Sequence, residues 1–341
     1  MTLTLTIDTR AWRDHLTHVH EEFPGLVPVA KGNGYGLGLD VLAREAERLS
    51  NDCLAVGTAH EVATVREAGW SHDVIVLNPW RPFDDAATAL LDDSRVITVV
   101  SRLTDLDELR TAHPGARVVV ELMTSMRRHG ITPQEIASVD AGTLGFEGWT
   151  MHLPLKGQFS EAQHLASEAM AHQRGAVWVS HLGANDYRRL LTQLGVETRM
   201  RMGTQLWLGA PQALKTTATV LDVHRVTRGT RYGYNQSRAP RDGWLVIVSG
   251  GTSHGIALSA PSPARSLRQR GVSLAQGVLD AAGISRSPFS IAGRKRPFAE
   301  PPHMHASMVF VGGSSAGVKV GDEIPVTTRQ TTTTCDTLVW N

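Results

Sequence analysis

The sequence predicts an α/β fold: a (β/α)8 TIM-type barrel over residues 1–213, followed by a smaller C-terminal β domain over residues 214–341. Three observations carry this. A chain of 341 residues is too long for one small core, so one large unit plus a smaller one is expected. The first two thirds alternate short apolar runs with stretches of helical period. Near Ala213 the pattern changes to short β-rich segments separated by Gly, Pro and Ser.

The apolar runs come in order. They are Leu26–Ala30, Cys53–Val56, Val74–Leu77, Val96–Val100, Arg117–Met123, Gly148–Leu153 and Val177–Leu182, with an eighth inside Thr198–Leu208. Continuous apolar runs mark strands buried on both faces. Between them, Val41–Leu49, Glu61–Ala68, Leu103–Ala112 and Glu161–His172 have apolar residues at helical spacing. Eight such repeats in about two hundred residues suit a closed barrel. Periodicity alone leaves a doubly wound sheet open. In the second part, the segments around Thr216–Val226, Gly243–Gly251, His254–Ala260, Ser307–Gly312 and Asp322–Thr328 read as strands, with a helical signal around Ala275–Ala282. Thr331–Thr334 has high strand propensity and reads as a further strand.

Composition narrows the function. Basic and acidic residues number 34 and 33, giving a net charge of +1. This balance points to neither nucleic acid nor an anionic membrane as partner. Cys53 and Cys335 are the two cysteines, far apart and outside any metal-ligand spacing, so neither a disulfide framework nor a metal site is expected. The first residues lack the basic and apolar regions of a signal peptide, and no apolar run reaches membrane-span length, so a cytoplasmic location is expected.

The stretch Val27–Gly38, VPVAKGNGYGLG, is the most informative. An apolar strand ends at Ala30, Lys31 follows at once, and a glycine-rich loop leads into a helix. A lysine at the C-terminal end of a barrel strand points into the face where barrels do chemistry. Glycines let backbone approach a phosphate or flat ring closely. A surface lysine on a flexible loop fits the composition equally well.

Lys31, Asn33, Tyr35 and Gly36 resemble the pyridoxal-phosphate lysine signature of the alanine racemase family, usually Lys-Ala-Asn-Ala-Tyr-Gly-His-Gly. Here Gly32 and Gly34 replace both alanines and Leu37 the histidine. The resemblance implies that Lys31 holds pyridoxal 5'-phosphate as a Schiff base and acts as a catalytic base, with Tyr35 on the phosphate. It continues along the chain. Glu121–Gly130 is similar to Lys-Val-Asp-Thr-Gly-Met-x-Arg-x-Gly. Arg128 thereby falls on an arginine that contacts cofactor and substrate carboxylate. Glu121 falls on a lysine that many members carbamylate, so an anion is kept. His152 matches the histidine against the pyridine ring. His181–Asn185 resembles His-x-x-Asn-Ser, making Asn185 the counterpart of a phosphate ligand. Arg201–Gly209 resembles Arg-x-Gly-x-x-x-Tyr-Gly, which places Arg201 at the pyridine nitrogen and the Gly203 N–H at the phosphate. An arginine keeps its proton and leaves that ring nitrogen unprotonated. Thr230–Tyr234, His303–Val309 and Gly321–Glu323 also resemble family segments, with Met304 over the substrate from the partner subunit.

The implied activity is racemisation of a small amino acid by a homodimer with shared sites. Racemisation needs a second base on the opposite face of Cα. The family's tyrosine, in Gly-Tyr-Ala-Asp-Gly, is absent, and Ser249–Gly255 stands there with Thr252 or Gly251 in its place. A threonine hydroxyl does not ionise near neutral pH. His254, with an unperturbed pKa of ~6.5, is the best local substitute, unless it only fills the position of the family's aspartate and orients the loop. Tyr232 and Tyr234 are further candidates. The family's phosphate-binding tyrosine beyond the Gly-Asp-Glu turn is also missing. The alternative is a cofactor-binding homologue with altered chemistry or a non-catalytic role.

Overall fold

The computed structural model describes residues 2–156, 158–258 and 286–341. The helical signal at Ala275–Ala282 lies outside the described residues. Two compact units form: Arg13–Gly209, and Met1–Trp12 together with Ala210–Asn341. The first strand, β1 (Leu3–Ile7), thus belongs to the second unit, whereas the sequence reading set residues 1–213 together.

The larger unit is the barrel. Its strands are β2 (Leu26–Pro28), β3 (Cys53–Val56), β4 (Asp73–Val76), β5 (Val96–Val100), β6 (Arg117–Leu122), β7 (Gly145–Met151), β8 (Ala176–Val179) and β9 (Thr198–Met202). All neighbours are parallel, β3 through β9 pair in sequence, and β9 pairs with β2. A parallel bridge between Val29 and Ala55 closes the ring, with the Ala30 N–H donating to the Ala55 carbonyl at 2.7 Å. The doubly wound alternative is thereby excluded. Inside, Val27, Ala55, Ile75, Ile97, Val119 and Trp178 pack together, all buried. Full burial of each large aliphatic contributes roughly 1.5–3 kcal/mol. Leu39–Arg48 shows how an outer helix attaches. Its apolar stripe, including Val41, Leu42 and Ala46, is buried, while Asp40 and Arg44 pair at 2.8 Å on the exposed side.

One glycine is obligatory in this ring. Gly148 sits at φ +137°, and a Cβ there would lie 2.0 Å from the Ala176 carbonyl oxygen. The register of β6 against β7 shifts between Val118 and Val119, next to it. The expected run began at Gly148, but β7 starts at Gly145 because Gly145 and Phe146 already pair with Arg117 and Val118.

The smaller unit contains β1, β10 (Leu214–Val226), β11 (Arg231–Tyr232), β12 (Ser237–Arg238), β13 (Gly243–Ser249), β14 (Arg286–Ile291), β15 (Arg294–Pro297), β16 (Ala306–Gly312), β17 (Glu323–Pro325) and β18 (Thr337–Trp340). The main sheet runs β16-β13-β10-β1-β18, and β17 also pairs with β10. β1 joins it because LTLTI alternates strictly. Leu3, Leu5 and Ile7 are buried, and the backbone pairs antiparallel with β10 and parallel with β18. Leu3, Val246, Val248, Phe289 and Val309 share the core.

Thr331–Thr334 is a correction. It forms a turn and irregular chain, with the N–H groups of Thr332 and Thr333 both donating to the Arg329 carbonyl. Those local bonds take the backbone donors a sheet would use, and the strand begins only at Thr337.

Candidate active site

The barrel collects ionisable side chains where its strands end. Lys31 follows β2, in the loop before Gly34–Gly36. That loop is held by Glu61, whose carboxylate accepts the N–H groups of Gly32 at 2.7 Å, Gly57 at 2.6 Å and Thr58 at 3.1 Å. Lys31 stands at the open mouth. Partial loss of water, then the charges of Arg128 and Arg201, hold its ammonium below the ordinary lysine range, with Glu61 pulling the other way. A lysine so perturbed becomes neutral, and therefore nucleophilic and basic, more readily.

Tyr35 is buried at φ +56°, a left-handed conformation costing a non-glycine residue about 1–3 kcal/mol. Burial, then Glu61, pushes its phenol up to about 12, so it is a donor and not a base. Its hydroxyl occupies the space a side chain at Gly203 would need: a Cβ there would lie 2.0 Å from Tyr35 Oη. Gly203 directly follows β9 and is flanked by a cavity of about 420 Å³ lined by His181, Leu182, Arg201, Gly203, Thr204 and Gln205, among others.

Arg201 is buried on β9. One Nη2 hydrogen donates to the Met151 carbonyl at 2.8 Å, while Nε has no partner among the described residues. Burial lowers it to about 10, opposed by Glu121 and aided by Arg128. Glu121 on β6 is buried, and its Oε1 lies 4.0 Å from Arg128 Nη2 while Oε2 is unpartnered among the described residues. Burial raises its carboxyl in spite of Arg201 and Arg128. Arg128 is about half exposed.

His152, after β7, lies at 3.0 Å from Ser180 Oγ through Nδ1 and edge-on to His181, centroids 4.8 Å apart. Ser180 Oγ accepts the Leu153 N–H at 3.3 Å, so its own proton is available for His152 Nδ1. Burial, then Arg201 and Arg128, lowers His152 to about 3, a neutral imidazole at ordinary pH. His181 is fixed by its Nδ1–H, which donates to the Leu153 carbonyl at 2.8 Å, and adopts φ +61°. Asn185 lies exposed in the first turn of Ala184–Leu194.

The barrel therefore brings together Lys31, Tyr35, Arg128, His152, Arg201 and Gly203, six of the seven cofactor-binding candidates read from the sequence; Asn185 makes no hydrogen bond or ion pair with them. Glu61 and Ser180 were not read there. Glu61 had a signal, since a carboxylate four residues after Gly57 at a helix start suits capping.

The β unit holds the remaining candidates. Thr252 and Met304 are exposed and line a cavity of about 340 Å³ with Tyr234, Glu300 and His303. The Thr252 N–H donates to the His303 carbonyl and the Ser253 N–H to the Met304 carbonyl, so the two segments lie side by side. His254 is elsewhere in its ring contacts: buried, with Nδ1 accepting the Gly251 N–H at 3.2 Å and Nε2 at 3.0 Å from Asp336 Oδ1. Asp336 Oδ2 in turn accepts the Leu3 N–H. Against burial, these bonds keep Asp336 below its usual range.

A closed (β/α)8 barrel with a lysine beside the end of its first strand, two arginines and a neutral histidine, followed by a β unit, defines a class of barrel proteins with a lysine at the mouth. Residues 7–186 match the family described as alanine racemase, N-terminal domain, and the chain belongs to that family. It is similar to the alanine racemase of Desulfovibrio desulfuricans, 28% identical over 172 residues, covering 48% of this chain and 44% of that one. It is also similar to that of Symbiobacterium thermophilum, 33% identical over 147 residues, 42% of this chain and 37% of the relative. The matched stretches thus span less than half the length of these relatives. In fold it is similar to the alanine racemase from Bartonella henselae with covalently bound pyridoxal phosphate, at TM-score 0.74 and 15% identity over 100% of both chains. The alanine racemase from E. faecalis superposes at TM-score 0.69 with 18% identity, over 99% and 98% of the two chains.

Proposed function

We propose that this chain is a pyridoxal 5'-phosphate-dependent amino-acid racemase that interconverts the L and D forms of a small amino acid, with alanine the first candidate, as a cytoplasmic homodimer. Bound cofactor supplies an electron-withdrawing ring that makes the substrate Cα–H acidic. The residues present fit it. Arg201 offers a buried, unpartnered Nε donor, Tyr35 and Gly203 approach too closely for any side chain between them, and three cations face two carboxylates. The observation that carries the reading is Lys31 at the mouth, held toward its neutral form by partial loss of water and then by Arg128 and Arg201.

In this reading Lys31 holds the cofactor covalently and exchanges a proton at one face of Cα. Arg201 donates toward the ring nitrogen without surrendering its proton. Arg128, braced by Glu121, orients the substrate carboxylate. Tyr35 and the Gly203 N–H bind the phosphate, with Asn185 a further contact, and neutral His152 lies against the ring without adding charge. Met304, exposed on the β unit, covers the substrate of the other subunit.

The test is titration of the protein with the cofactor. A visible absorbance band, fixed by borohydride to the peptide containing Lys31 and lost in Lys31→Ala, is expected. Turnover of L-alanine and L-serine in deuterated water, read as Cα deuterium and product chirality, then decides the activity. Retained L configuration with deuterium incorporation would refute racemisation of these substrates.

A further inference from the structure

Racemisation, the reading on which this inference rests, lacks a group for the second face of Cα. Thr252 is a poor one by its chemistry. His254 has both ring nitrogens committed, to the Gly251 N–H and to Asp336, which ties the loop to the Leu3 backbone. A ring so engaged and buried holds a loop together and has no nitrogen left for a substrate.

His303 is built differently. Its Nε2 lies 2.8 Å from Oε1 of Glu300, whose side chain is 3% exposed. The other oxygen, Oε2, accepts the Tyr234 N–H at 2.8 Å. With one oxygen on a backbone N–H, the buried carboxylate faces the imidazole as an acceptor, which places the ring proton on Nε2. Nδ1 is then the basic nitrogen, and it has no hydrogen-bond partner among the described residues. The imidazole is 36% exposed and lines the cavity shared with Thr252, Tyr234 and Met304. Backbone bonds from Thr252 and Ser253 to the carbonyls of His303 and Met304 hold the ring beside the position where a base is missing.

We propose that His303, oriented by Glu300, is the second proton-transfer group of the racemisation. From one configuration of the substrate, Nδ1 of His303 takes the Cα proton while Lys31 returns one to the opposite face. From the other configuration the two roles exchange. The electron pair of the broken C–H bond stays with the substrate and forms the new one, so no oxidant or reductant is needed. Glu300 is the positioning residue: it fixes the tautomer and balances the imidazolium charge while His303 carries the proton.

The test uses cofactor-loaded protein and two readouts. The first is the ring pattern of His303 in proton–nitrogen correlation spectra, identified by its disappearance in His303→Gln. A single Nε2-protonated tautomer that becomes a mixture in Glu300→Gln is expected, and a pattern unchanged in that variant overturns the orientation. The second is isotope exchange. His303→Gln should keep the wild-type absorbance and Lys31 attachment, lose racemisation about a hundredfold or more, and exchange Cα–H for deuterium in only one enantiomer of alanine. Exchange of both enantiomers at wild-type rates overturns the inference, as does one-sided exchange found in Tyr234→Phe instead. If wild-type protein does not racemise, the proposed function itself fails and takes this inference with it. Racemisation by both wild type and His303→Gln overturns only the inference.

Discussion

Acid stability of the barrel should be set in large part by His152. The ring is held neutral, lowered to about 3 by burial and by Arg201 and Arg128, whereas in the unfolded chain it titrates near the ordinary histidine value. Below that ordinary value the unfolded chain binds a proton that the folded barrel refuses. The stability His152 allows is therefore fully present above about pH 6.5 and is lost progressively as pH falls toward 3. A depression of that size corresponds to roughly 4–5 kcal/mol in full. The ring is only partly buried, and discounting for the water that reaches it leaves about 1–2 kcal/mol. The assay is urea unfolding of cofactor-free protein at several pH values between 4 and 8. His152→Asn removes the titration and keeps a hydrogen-bonding group beside Ser180. The variant should lose about 1–2 kcal/mol less stability than wild type between pH 7 and pH 4.5. Equal losses in the two proteins would show that His152 is not the group refusing the proton.

Three further outcomes are expected. Gly203→Ala forces a methyl against Tyr35 Oη, and cofactor affinity measured by absorbance titration should fall about tenfold or more, with unfolding free energy lower by about 1–3 kcal/mol; unchanged affinity would separate Gly203 from the cofactor. Glu61→Gln replaces a carboxylate that accepts three N–H groups by an amide with one oxygen, and should lower stability by roughly 2–3 kcal/mol in urea unfolding. Mixing Lys31→Ala with His303→Gln protein should restore about a quarter of wild-type racemisation if sites are shared across a two-fold dimer, and none if each chain works alone.

How much was legible depended on the kind of signal. Cys53–Val56, Val96–Val100 and Leu103–Ala112 were read to the residue, because buried strands and amphipathic helices write their period directly into sequence. β1 was not assigned, since its partners β10 and β18 lie some two to three hundred residues away and a five-residue alternation does not say which sheet it joins. Thr331–Thr334 misled because strand propensity is weak beside local turn bonds to Arg329. In the site, Lys31 stood out by its place directly after an apolar strand, and Arg201 through the family resemblance. Glu61 did not, because its role is to bind backbone N–H groups that any residue could supply. The Glu300–His303 pair is three residues apart and could have been noticed, but only the fold shows that the carboxylate is buried and the imidazole open.

The electrostatics of the barrel mouth explain why these residues sit together. Burial, then the charges of Lys31, Arg128 and Arg201 on one another and on their neighbours, weakens the hold on protons here: Lys31 is lowered, Arg201 falls to about 10, and His152 is kept neutral. Glu121 and Glu61 oppose them with two carboxylates, and Glu61 is already engaged by three backbone N–H groups. A fold that sought only stability would not bury Arg201 with an empty Nε, nor Glu121 with an empty oxygen. Such unpaired buried groups and shifted protons cluster where a ligand completes the balance. In the proposed function, a phosphate dianion and a substrate carboxylate would supply the missing negative charge. Glu121 differs from a ligand in being part of the chain: its Oε1 lies 4.0 Å from Arg128 Nη2, and burial raises its carboxyl against the pull of Arg201 and Arg128.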